Sequence, residues 1–278
     1  MNERKVLVTG VTGGIGGAVA RRLAADGWQV FAAYRRQGDE GPLRAQGFVP
    51  VPLDLADETS PAAAAEVVGD RLDALVNSAG ILRQGPVELV PAEVLRRQFE
   101  VNVIAQTAVI RAFLPALRAT GGRIVNIGAI SGRVDLPFIG PVAASKAAFA
   151  SLSGILRMEL RHQGVQVSLV EPGAVATEIF DKAAKAMAED GWAGSAEAQR
   201  RYARALAAYE EMLAKMKPGP VEPVVKAVRT ALNARRPAAR YTAGRDARSI
   251  AALRMLPTGV RERILLRATG LTAEAFAG

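Results

Sequence analysis

Short runs of consecutive apolar residues alternate along the chain with longer segments whose apolar positions recur every three or four residues. The runs Lys5–Thr9, Gln29–Tyr34, Phe48–Pro52, Ala74–Asn77, Arg123–Ile127 and Gln166–Glu171 predict buried strands. Gly14–Asp26 predicts a helix ended by Gly27, and Pro91–Arg118 and Gly140–Gln163 predict two long helices. Strand, helix, strand repeated in this way calls for right-handed crossovers and a parallel sheet covered on both faces. The expected fold is α/β, a doubly wound parallel sheet of about seven strands. With no Ser/Gly linker and no repeat of fixed period, one domain over residues 1–278 is expected.

The alternation breaks between Thr177 and Pro220, an insertion ahead of a helix beginning near Glu222. Within it Tyr202, Leu206, Tyr209, Leu213 and Met216 recur at helical spacing, so they share one face of a helix for which Ser195 is a suitable N-cap. The segment reads equally as a lid over an apolar ligand or as a helix docked on the core.

Half of the 278 residues are hydrophobic and none is cysteine, which removes disulfides, thiolate metal sites and a cysteine nucleophile. The one histidine, His162, falls at a helix end, where it reads as a cation near the dipole; no metal site is expected. The N-terminus runs directly into a strand, and no apolar run reads as a membrane span, so a cytoplasmic protein is expected. The formal charge is +9, and from Val221 onward eleven Lys/Arg stand against four Asp/Glu. These positives are interspersed with apolar residues, which favours a solvated face and attraction for an anionic cofactor over a nucleic-acid site.

The first strand meets the first helix through Thr9-Gly10-Val11-Thr12-Gly13-Gly14-Ile15-Gly16. Glycines suit a sharp turn where backbone touches a pyrophosphate, and the helix behind them aims free N–H groups and its positive end at that phosphate. Asp54-Leu55 follows the third strand, where a carboxylate can accept from an adenine amine. Asn77-Ser78-Ala79-Gly80 follows the fourth, and Glu171-Pro172-Gly173 the sixth, with Thr177 four residues beyond Gly173. All lie at the carboxyl ends of strands, where open α/β sheets bind ligands.

On these motifs, with Asn102 and Lys146, the chain resembles the short-chain dehydrogenase/reductase superfamily over nearly its whole length. Val170-Glu171-Pro172-Gly173-Ala174-Val175 and Arg240-Tyr241-Thr242-Ala243-Gly244-Arg245-Asp246 look more like its retinol and hydroxysteroid dehydrogenase branch, whose members act on bulky apolar alcohols or ketones. The resemblance implies a Rossmann-type fold. It implies that Gly10, Thr12, Gly14, Ile15 and Gly16 cradle the pyrophosphate, Asp54 and Leu55 hold adenine, and Asn77, Ala79 and Gly80 line the adenosine side. It implies further that Lys146 bonds the nicotinamide ribose, that Val175 and Thr177 hold the carboxamide and orient the ring, and that Pro172 and Gly173 belong to the same cofactor-binding loop. It also implies a homodimer or homotetramer through the two long helices. At the end of the second strand, where a carboxylate would select NAD, stand Arg35 and Arg36. A guanidinium pairs well with a 2′-phosphate, so NADP(H) is expected over NAD(H).

The resemblance also exposes a departure. In the family a tyrosine four residues before the lysine exchanges the proton, and a serine thirteen residues before that tyrosine holds the substrate oxygen. Here those positions are Val142 and Ala129. Losing a general acid costs about 10²–10⁴ in rate, and losing an oxyanion donor about 10²–10³. Lys146 and Asn102 are kept, as the retained catalytic positions. Three readings stay open. The first is an atypical oxidoreductase of an apolar small molecule, such as an imine or activated alkene, with Ser131, Tyr202 or Tyr209 as surrogate groups in the substrate pocket beside Ala129 and Val142. The second is a non-redox isomerase, dehydratase or cyclase, and the third an NADP(H)-binding pseudoenzyme.

Overall fold

A computed structural model describes residues 3–276, apart from the side chain of Glu274. Its strands are β1 (Arg4–Val8), β2 (Trp28–Tyr34), β3 (Val49–Pro52), β4 (Ala74–Asn77), β5 (Arg123–Ile127), β6 (Gln166–Pro172) and β7 (Arg240–Ala243). They form one parallel sheet in the order β3-β2-β1-β4-β5-β6-β7. The order reverses beside β1, so a crevice opens where the chain leaves β1 and β4 toward opposite faces.

The helices are α1 (Gly14–Ala25), α2 (Glu40–Ala45), α3 (Ser60–Val68), α4 (Ala92–Phe99), α5 (Ala105–Arg118), α6 (Gly140–Glu159), α7 (Ile179–Asp190), α8 (Ala196–Lys215), α9 (Glu222–Asn233), α10 (Arg245–Ala252), α11 (Thr258–Ala268) and α12 (Ala273–Phe276). Successive strand residues serve opposite faces. Val6 and Val8 pack with Val19, Leu23, Val228 and Leu232 of α1 and α9. Leu7 and Leu75 pack with Val109, Phe113 and Phe149 of α5 and α6. The long α6 stops at Glu159, and Arg161–Gln163 forms a separate 3-10 turn before Gly164 in left-handed conformation; the sequence pattern had carried the helix through to Gln163.

Between α4 and α5 a π turn spans Glu100–Ile104, so 92–118 is one continuous helix with a local widening. That helix does reach the length and apolar composition of a membrane span, unlike the sequence expectation, with half of its most apolar stretch buried inside the protein. The insertion after β6 folds as α7 and α8. Ser195 caps α8, its hydroxyl accepting from the Ala198 amide at 3.1 Å. Arg83 fastens the end of α7 through Asp190 at 2.6 Å, and Trp192 fills the space over Gly85.

Glu171, at the end of β6, has no exposed side-chain surface. Its carboxylate accepts from Arg240 at 2.9 Å and from Arg133, which joins β6, the start of β7 and the loop after β5. Removing one member of a buried ionic group leaves the others uncompensated. Glu171→Leu is therefore expected to cost about 2–3 kcal/mol, a figure below the full buried-pair loss because both arginines reach solvent. Urea unfolding, followed by circular dichroism, measures this.

Candidate active site and cofactor cleft

A cleft of about 690 Å³ opens at the carboxyl ends of β1, β2, β3 and β4. Its walls include Gly10, Thr12, Gly14, Ile15, Gly16, Arg35, Arg36, Asp54, Leu55, Ala79, Gly80 and Thr177, all expected from the sequence. They also include Tyr34, Arg96, Arg97, Glu100 and Lys182, which the sequence did not single out. Arg96 and Arg97 read as ordinary polar-face residues of a helix until the tertiary fold turns α4 toward the cleft.

The glycine turn is packed to the limit. Gly10 has φ +70°, and a Cβ there would stand 2.8 Å from the Ala79 backbone. A Cβ on Gly16 would lie 2.3 Å from the Gly10 carbonyl oxygen, and one on Gly14 2.3 Å from Thr177 Cγ2. Thr9, which the sequence left without a role, locks this junction: its hydroxyl accepts the amides of Ser78 and Ala79, each at 3.0 Å. Gly13 caps α1 with backbone alone, so the first-turn amides keep their donors for whatever enters the cleft. A floor of bare backbone beneath a helix N-terminus fits a dinucleotide pyrophosphate. At the rim, Arg36 is shared with Asp39 at 3.2 and 3.3 Å, while Arg35 has no ion-pair partner among the described residues.

The far end of the cleft is organised by buried amides. Asn102, inside the π turn, accepts from the Ile81 amide at 2.9 Å and donates to the Ile81 carbonyl at 3.0 Å and to Ser145 Oγ at 3.2 Å. Gln98 donates to the same Ile81 carbonyl at 2.8 Å and accepts from the Arg83 amide at 2.8 Å. Lys146 donates to the Ile127 carbonyl at 2.8 Å, and desolvation by burial pulls its ammonium down to about 8. A Cβ on Gly80, which lines the cleft, would sit 3.1 Å from Asn102 Oδ1 and 3.6 Å from Lys146 Nζ. Lys146 and Asn102 thus stand together immediately behind that wall.

Other expected residues are placed differently. The Asn77 side chain does not reach the cleft wall: it donates to Asn126 at 3.0 Å, which donates in turn to Ser153 at 2.8 Å. This side chain braces β4, β5 and α6. Val175 is buried in the core, so a ligand contact there falls to its backbone. Gly173 is closed off by Asp246, whose carboxylate accepts the Ala174 amide at 2.7 Å. Pro172 ends β6, paired to Ala243.

Val142 is in the first turn of α6 and nearly buried; its carbonyl accepts from Ser145 at 2.8 Å. Ala129 precedes the turn Ile130–Gly132, which contains Ser131 and packs on α6 so closely that a Cβ on Gly132 would meet the Lys146 backbone at 2.8 Å. Tyr202 and Tyr209 are not on the cleft wall. Both stack edge-on against Phe138, at 6.1 and 5.3 Å, in an apolar cluster with Ala205 and Leu271. Burial raises the Tyr209 phenol to about 12, the wrong direction for a proton donor near neutrality. The two tyrosines pack with Phe138 away from the dinucleotide cleft, and Tyr202 also hydrogen-bonds Glu88. His162 is exposed on the 3-10 turn after α6. Among the described residues no group of three His, Asp or Glu could hold a metal ion.

The Lys146 environment predicts a pH signature. The folded protein releases this proton near pH 8, whereas the unfolded chain holds it to about 10.4. Between those values the unfolded state binds more protons, so this residue's contribution to stability rises with pH. Urea midpoints of the wild type and Lys146→Met are expected to diverge in slope across that window, the wild type alone gaining stability as pH increases.

The short chain dehydrogenase family model matches residues 4–190. The chain is 37% identical over 192 residues to a 3-amino-tetrahydro-pyrrolizinone reductase of Xenorhabdus hominickii, covering 66% of this chain and 65% of the relative. It is 36% identical over 193 residues to an NADPH-dependent 3-dehydrocapnine reductase of Ornithobacterium rhinotracheale, covering 65% and 68%. The chain thus spans about two thirds of the length of these curated relatives. A 17-beta-hydroxysteroid dehydrogenase type 6 of Bos taurus is 35% identical over 295 residues, covering 99% of this chain and 92% of the relative. Among solved structures, a short chain dehydrogenase from Burkholderia cenocepacia J2315 in complex with NADP superposes with a TM-score of 0.75 at 28% identity, covering 95% of this chain and 98% of that one. With the glycine turn, the seven-stranded order and the Asn102–Lys146 pair on the same scaffold, the chain belongs to the short-chain dehydrogenase family.

Proposed function

We propose that the protein is an NADP(H)-dependent reductase of an apolar small molecule whose reducible bond needs little help from hydroxyl groups, an imine or an activated alkene. The observation that carries this is the pairing of a kept Lys146–Asn102 cluster with aliphatic side chains at Val142 and Ala129. Gly10, Gly14 and Gly16 would carry the pyrophosphate on backbone, Asp54 the adenine, and Arg35 the 2′-phosphate. Thr177 would seat the nicotinamide end, and Lys146 the adjoining ribose. A nicotinamide held there would supply hydride chemistry to the substrate carbon. Lys146 supplies the proton where one is needed, since its lowered pKa keeps an ammonium available near neutrality and eases its release. An iminium substrate takes the hydride and becomes an amine without any proton transfer.

Two relatives are reductases, one of them NADPH-dependent, which supports the direction and the cofactor. The insertion 177–220 serves as a docked cover on the substrate side of a single domain, held by Arg83–Asp190. Exposed Leu95, Ile104, Ile155 and Met158 on the two long helices suit the association of copies into a dimer or tetramer.

Three measurements test the reading. NADPH absorbance should fall with cyclic imines or enones and stay constant with simple ketones; turnover of a substrate with no change in absorbance would point instead to a non-redox enzyme. Arg35→Ala should weaken NADPH binding roughly 10–100-fold, the worth of one charge-assisted bond, and leave NADH binding unaltered. Ala129→Ser combined with Val142→Tyr should create ketone reduction; a folded, NADPH-binding double variant inert toward ketones would refute the assignment of those two positions.

A further inference from the structure

The C-terminal segment carries exposed aliphatic side chains set among arginines. Met255 is 88% exposed, and Leu256, Ile264 and Leu266 are each at least 36% exposed. They sit on the turn Leu253–Met255, at Leu256 just after it, and on α11. Between Arg248 and Gly270 five arginines accompany them, against one acidic residue, Glu262. On α11 the buried Leu265 defines the inward side. At 100° per residue, Arg263 and Arg267 fall on the opposite side, flanked by Ile264 and Leu266. Large aliphatic side chains interleaved with arginine, with no aromatic residue from Arg248 to Gly270 to stack on bases, form a surface for lipid and not for nucleic acid.

We infer that the turn at Met255 and the outer face of α11 dock this protein on an anionic lipid bilayer, the aliphatic side chains entering the acyl boundary and the arginines pairing with acidic headgroups. Charge decides between this and a second copy of the chain. A two-fold contact would set the same arginine patch against itself, whereas an acidic leaflet attracts each arginine and accepts the aliphatic tips. This goes beyond the reductase reading and does not depend on it.

The test is co-sedimentation of the intact protein with vesicles of phosphatidylcholine alone and of phosphatidylcholine mixed with phosphatidylserine. Binding is expected only to the mixed vesicles, weakened by salt, and reduced roughly tenfold or more by Arg263→Glu with Arg267→Glu. Met255→Ser with Leu256→Ser should also release the protein. In the variant Met255→Trp the new indole should shift its emission to the blue on mixed vesicles. Unchanged NADPH binding checks that each variant is folded, because these side chains are outside the cleft. No binding to mixed vesicles, binding indifferent to both pairs of substitutions, or a dimer lost in Met255→Ser with Leu256→Ser but no lipid binding would each overturn the inference.

Discussion

The contact between the ends of β1 and β4 governs everything built above it. One hydroxyl, Thr9 Oγ1, receives two consecutive amides, and Gly10 presses on the backbone of Ala79 with no room for a side chain. That proximity brings the chain leaving β1 across the mouth of the sheet before α1 begins. Gly16 then rests on the Gly10 carbonyl, which seats the first turn of α1 with its donors toward the cleft. A larger residue at Gly10 or Gly16 would displace backbone against backbone, where no rotamer change can relieve it. The anion-binding character of the cleft is thus a consequence of close packing, with the arginines added at the rim.

A second constraint acts at the other end. Asn102 and Gln98 both satisfy Ile81, and the π turn supplies the widening that lets Asn102 point inward while α4 and α5 continue as one helix. Ser145 completes the group by donating to the Val142 carbonyl. This network holds α6 in place, and with it Lys146, whatever residue occupies position 142. Retention of Lys146 and Asn102 is accordingly intelligible on structural grounds as well as chemical ones.

Much of this was legible in the sequence, for identifiable reasons. Ala74–Asn77 and Arg123–Ile127 are short apolar runs buried on both faces, and their limits agree with β4 and β5. The glycine turn, Asp54, Gly80 and Thr177 declare themselves because the chain must turn or stay thin there. What the sequence concealed depends on partners distant along the chain. The helical spacing of Tyr202 and Tyr209 gives their common face, but what that face meets is set by Phe138, a non-glycine residue at φ +63°, and by Leu271. Glu171 reads as part of a loop motif until Arg133 and Arg240 are seen to enclose it. α7 and α10–α12 were not among the elements predicted from the pattern.

The aliphatic positions are best understood through what they discriminate against. A ketone acquires negative charge on oxygen as hydride arrives, and on the proposed reading that charge would develop against Val142 and Ala129. The handicap of a missing acid alone is about 10²–10⁴ in rate. On the proposed reading, an iminium begins with positive charge and loses it, so the same apolar wall would cost it far less. An activated alkene moves the developing charge away from the reacting carbon, where on the same reading a proton from Lys146 would meet it. On the proposed reading, aliphatic side chains at these two positions would change selectivity as well as rate: they would suppress reaction with carbonyl compounds while leaving hydride transfer open to acceptors that carry their own activation.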